Sequence, residues 1–108
     1  MKTEIPAGTL YLLVLKTLRR LGSMHGYGIA LYIQQTTKDV FQVEEGTLYP
    51  ALQRMLIKGW VKAEWHTTEN KRRARYYTLT AAGRKQLAAE LREFERAVTA
   101  IRQVVEPA

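Results

Sequence analysis

Lys71-Arg72-Arg73-Ala74-Arg75 is the densest cluster of a single chemistry in the chain. Crowded guanidinium and ammonium groups release counterions from a nucleic-acid backbone, so the run reads as a phosphate-contacting element. Strand-like aromatic residues follow it directly, which argues against a nuclear-localisation tract. A second set is Thr47, Tyr49, Gln53 and Arg54, which lie on the polar side of a helical pattern. Gln and Arg pair bidentately with adenine and guanine edges, each pair worth about 1–3 kcal/mol of discrimination. Thr and Tyr hydroxyls suit phosphate oxygens. Tyr27 fits either a phosphate contact or the core. His25 and His66, the only histidines, stand 41 positions apart with no Cys nearby. That spacing is not a ligand pattern, so no metal or cofactor is expected. No Ser-His-acid set, paired carboxylates or phosphate loop is present, so no enzyme is expected.

The balance of charge points the same way. The 108 residues carry 17 Lys and Arg against 10 Asp and Glu, a net charge of +7. Residues 58–85 hold eight of those cations and only two of the acids. The excess is focused on one segment, as in a domain that meets nucleic acid. Hydrophobic residues make up 46%, which suits a folded domain and excludes long disorder. The absence of Cys excludes a disulfide framework and a thiolate nucleophile. The longest apolar run, Leu10 to Leu15, is far short of a membrane span, and Lys16 follows it. No cleavage site for a secretory leader follows either, so a cytoplasmic protein is expected.

The elements that must position these residues can be read from period and breakers. Pro6 to Leu21 reads as a helix stopped by Gly22, with Leu10, Leu13, Val14, Leu18 and Leu21 as its stripe. Tyr11, Leu12 and Leu15 add a second apolar side, and a helix apolar nearly all round is covered on more than one face. Ser23 would cap a helix from Met24 to about Thr36. A third helix is expected from about Glu45 to Lys58, its regular part starting as late as Thr47 to keep Pro50 in the first turn. Leu48, Leu52, Met55 and Leu56 share its inner face. Trp60 to His66 and Tyr76 to Leu79 read as two strands of a hairpin with a long basic tip. Tyr77 and Leu79 should point inward and Tyr76 outward.

Thr80 caps the last helix, which ends near Pro107. Leu87, Leu91, Phe94, Val98, Ile101 and Val105 step by alternating fours and threes, an a/d seam. Such a seam predicts a homodimer, with Leu10 and Leu13 of the first helix adding to the contact. The expected fold class is mainly α with a small β-hairpin. Residues 1–79 form a winged helix-turn-helix DNA-binding domain and residues 80–108 a dimerisation helix. In that arrangement the third helix enters the major groove and the wing lies along the backbone of double-stranded DNA. A winged-helix adaptor that binds an acidic protein partner is the alternative.

The letters add a resemblance. His25-Gly26-Tyr27, Glu45-Gly46-Thr47-Leu48-Tyr49-Pro50-Ala51-Leu52, Arg54-Met55 and Gly59-Trp60-Val61 carry it, with the run from Arg72 to Gly83. Over about residues 9–105 the chain resembles the PadR family of transcriptional regulators, in its branch with a single long helix after the wing. The resemblance implies a homodimeric repressor of inverted-repeat operators. It also implies Tyr49 as a DNA contact, and release by a small aromatic or hydrophobic effector bound between subunits. Members with a flat drug-binding slot carry a Trp on the last helix; here Phe94 is that helix's only aromatic.

Overall fold

The computed structural model describes residues 3–6 and 8–106. Helix α1 spans Leu10–Leu21, strand β1 Met24–His25, α2 Gly26–Thr36 and α3 Glu45–Ile57. Strands β2 (Val61–Thr67) and β3 (Arg73–Leu79) follow, and α4 spans Ala81–Val105. The order is that of a winged helix-turn-helix with a long helix appended.

Two starts differ from expectation. Helix α1 begins at Leu10, not Pro6, because Gly8 takes a left-handed φ of 85° that breaks any helix through it. Helix α2 is capped by His25, not Ser23: the Gly28 N–H donates to His25 Nδ1 at 2.9 Å. Met24 and His25 instead form β1, paired antiparallel with Tyr77 and Tyr76. Helix α3 begins at Glu45 as expected, but it is regular from there and not from Thr47, which leaves Pro50 past the first turn. The missing proline N–H orphans the Gly46 carbonyl, a cost lessened because both residues are exposed.

The sheet runs β1-β3-β2, with both pairings antiparallel. Val61 faces Leu79, Ala63 faces Tyr77 and Trp65 faces Arg75. Directly opposed residues share a face, so one side of the hairpin runs from apolar at its base to cationic at its tip. The base closes the core with Val61, Tyr77 and Leu79, all buried. Behind them pack Val14, Leu15 and Leu18 of α1, Ile29 and Ile33 of α2, and Leu48, Leu52 and Met55 of α3. Each such side chain contributes about 1.5–3 kcal/mol on burial. Leu10 and Leu13 lie half-buried against this cluster, and Leu21 is exposed. Tyr76 is half-buried, not turned to solvent, because β1 adds a third strand beside it and sets the His25 ring edge-on at 5.1 Å.

Helix α4 is joined to the base of the wing. The Thr80 hydroxyl accepts from the Gly83 N–H at 3.0 Å, and the same oxygen lies 2.6 Å from the Gly59 carbonyl, to which it donates. Leu87 is buried in the core and Leu91 packs on it. Beyond Leu91 the helix leaves the body: Phe94, Ile101 and Val105 are exposed and Val98 is half-buried. The expected end at Pro107 lies outside the described residues.

Candidate nucleic-acid interface

The basic run does not form a long tip. Arg73 and Arg75 are strand residues of β3, and only residues 68–72 make the turn. Thr68 N–H donates to the Arg72 carbonyl at 2.7 Å, and Lys71 N–H to the Thr68 carbonyl at 2.9 Å. Lys71 takes the left-handed position of this turn, φ 59°, where glycine is the usual occupant. The strand thus fixes the spacing of two arginines that a loop would leave free.

A cleft of about 740 Å³ opens between this hairpin and the start of α2. His25, Tyr27, Tyr49, Trp65, Arg72, Arg73 and Arg75 line it. Five of the nine predicted DNA-binding residues therefore meet in one place. Tyr27 is 64% exposed, which removes its core reading. Its ring lies nearly parallel to that of His25, 6.4 Å between centroids. Because His25 Nδ1 accepts the cap bond, a neutral ring carries its proton on Nε2.

Tyr49 is 43% exposed and lies against the first residue of α2. A Cβ on Gly26 would come within 2.7 Å of its Cε1 atom, so a larger residue there would have to displace the ring. Burial, with the Glu45 carboxylate and Tyr77 adding to it, raises the Tyr49 pKa above its ordinary value of 10.0. The hydroxyl is accordingly a donor at neutral pH, as a phosphate oxygen requires.

The other four predicted residues lie elsewhere. Lys71 stands on the turn at the wing tip. Gln53 is on the exposed outer face of α3. Thr47 is on the far flank, in a separate groove with Glu4, Pro6, Gln42 and Glu44. It is the third residue of α3 and not its cap, which is Glu44. Arg54 turns toward α1, where its Nε donates to the Tyr11 hydroxyl at 2.6 Å. The Tyr11 ring in turn meets Trp60 edge-on at 5.3 Å.

Two cleft residues are not evident from the sequence. Strand alternation makes Trp65 an inner position, yet it is 58% exposed, with the Arg73 guanidinium 5.3 Å from its ring centroid. In the sequence His25 stands out as a histidine without a ligand pattern and as part of the His25-Gly26-Tyr27 motif, not as a cleft or capping residue. Its neighbour Gly26, flanked by two aromatic side chains, is the available signal of a close approach.

A model of the PadR-like family of transcriptional regulators matches residues 14–89, most of the chain. The chain belongs to that family. A transcriptional regulator from Clostridium thermocellum has the same fold, with a TM-score of 0.84 and 29% identity over 92% of this chain and 95% of that one. Bacillus subtilis PadR in complex with operator DNA superposes with a TM-score of 0.69 at 25% identity. That alignment covers 81% of this chain but 48% of PadR, so the chain spans about half the length of that relative. An uncharacterized protein of Lysinibacillus sphaericus is 30% identical over 70 residues, 65% of this chain and 64% of its own length, just under two thirds. The family match takes in the wing and the first turns of α4 but stops short of Val98, Ile101 and Val105. Among the described residues no group of three or more His, Asp or Glu could hold a metal, and no helix is long and apolar enough to cross a membrane.

Proposed function

We propose that this PadR-like regulator is a homodimeric repressor that binds an inverted-repeat operator. The carrying observation is the single cleft that gathers Tyr27, Tyr49, Arg72, Arg73 and Arg75 beside the exposed face of α3. In this reading α3 enters the major groove through Gln53, while the wing arginines and Lys71 hold the backbone. Tyr49 donates to a phosphate where α2 and α3 meet. Thr47 and Arg54 approach the duplex from the other flank of α3, Arg54 with its terminal nitrogens while its Nε stays on Tyr11. The operator complex of Bacillus subtilis PadR supports this use of the fold.

Pairing uses the seam of α4 from Leu91 through Phe94, Val98, Ile101 and Val105, with Leu10 and Leu13 at its edge; Leu87, expected in that seam, is instead spent on the chain's own core. Its support is the apolar stripe left bare beyond Leu91. Release by a small hydrophobic compound lodged between the paired helices belongs to the same reading, as does a cytoplasmic location.

The test is selection of bound sequences from a random duplex pool at roughly physiological salt, where specific and non-specific binding separate. Recovery of an inverted repeat with half-sites about one helical turn apart is the expected result. Recovery of no motif overturns the operator-binding reading in favour of an adaptor for an acidic partner.

A further inference from the structure

Trp65 has no task in the core. It lies on the hairpin face that carries Val61 and Leu79 inward, but beyond the point where that face leaves the body. Its Cα partner is Arg75, and Arg73 stands two residues further along the same face. That diagonal is within reach of long side chains, and the Arg73 guanidinium sits 5.3 Å from the indole centroid. A guanidinium tolerates this arrangement better than an ammonium because it is planar and weakly hydrated. Its N–H edge stays free to donate while the ring restricts its swing. The pair overhangs the cleft together with Arg72 and Arg75.

We infer that Trp65 is a positioning residue that holds Arg73 for insertion into the minor groove, so that the wing reads groove width beside the half-site. This rests on the DNA-binding reading above and assigns the wing a preference within it. The minor groove of A·T pairs presents acceptors only, which suits a donor-only guanidinium. Where A·T runs narrow the groove, its negative potential deepens and favours an inserted Arg. Arg73, ordered in advance, discriminates such flanks from G·C flanks.

The experiment uses the full-length protein and the selected inverted repeat, flanked by A·T runs in one duplex and G·C runs in another. Wild type is expected to prefer the A·T-flanked duplex. Trp65→Ala should lose about two- to five-fold in affinity for that duplex, the loss expected from an exposed cation–π contact. It should change the G·C-flanked duplex little. Trp65→Phe, which keeps a ring, should restore most of the preference. In an Arg73→Ala background, Trp65→Ala should add nothing, as coupled residues require. An equal loss on both duplexes, or an undiminished Trp65→Ala effect without Arg73, overturns the inference while operator binding stands. Wild type that does not prefer the repeat over a scrambled duplex overturns both.

Discussion

Tyr49 shows how one side chain inherits its chemistry from its neighbours. Gly26 admits its ring, and the resulting burial raises its pKa. The folded chain therefore keeps a proton that the unfolded chain gives up. This contribution to stability is complete below pH 10, the ordinary tyrosine value, and is lost as pH rises through the higher folded pKa. A spectroscopic titration should show one tyrosine ionising late, and Tyr49→Phe should remove that late step. Persistence of the step in the variant would assign it to another tyrosine. Gly26→Ala is the companion test. The added methyl group meets the ring, and such overpacking costs about 1–3 kcal/mol in thermal or denaturant unfolding. Operator affinity should fall with it, measured by fluorescence anisotropy, since the ring that moves is a proposed phosphate contact.

At the scale of elements, the wing and the start of α4 are separable by mutation. Arg72→Ala with Arg73→Ala should weaken binding to every duplex, most of all to one with A·T flanks because Arg73 is lost, and flatten the dependence of log affinity on log salt. The slope should drop by about 0.9 for each phosphate that is no longer neutralised. An unchanged slope removes the wing from the backbone-binding surface. Thr80→Ala acts on stability instead. It removes the α4 cap and the bonds to the Gly59 and Trp60 carbonyls. A loss of about 0.5–2 kcal/mol is expected from the cap, visible in a circular-dichroism melt.

Most of this architecture is legible in the chain, because helical period, Gly stops and the Thr80 cap are local signals. The two-residue β1 is not. Its pairing with β3 joins residues about fifty positions apart, and nothing in Met24-His25 announces it. The His25 cap is hidden for a related reason, since Ser23 is the better cap by type but β1 takes Met24 and His25, so the helix opens only at Gly26. Arg54 looks free in the sequence because its Tyr11 partner lies 43 positions away, across a helix packing that sequence period does not specify. The arginine cluster is plain in the sequence, but the strand boundary inside it is not. Arg and Ala have no marked strand preference, so the ladder with β2 decides where the turn ends.

The whole molecule is elongated, 56 × 33 × 22 Å, because α4 runs on past the core. Phe94 and Ile101 are exposed there, so changing them leaves the core of one chain intact. Phe94→Asp with Ile101→Asp should convert the proposed dimer to a folded monomer in light scattering, since a charge buried in the seam has no partner. A dimer that survives both changes would place the interface elsewhere. The monomeric variant should also bind operator DNA far more weakly, because it engages a single half-site.

The join between α4 and the wing has a mechanical meaning. A Cβ on Gly83 would fall 2.0 Å from the Trp60 carbonyl oxygen, so helix and hairpin base touch backbone to backbone. The Leu79 side chain packs beside this contact, but the nearest atom is the rigid carbonyl oxygen, which gives little under a rotation. With 25 residues, α4 is a lever about 37 Å long, pivoted at the root of the wing. In the proposed dimer, a change of about 5° at this joint would move the far end of the lever by about 3 Å relative to the wing. The operator spacing that the proposed dimer accepts would then depend on the stiffness of this joint as well as on the residues that meet DNA.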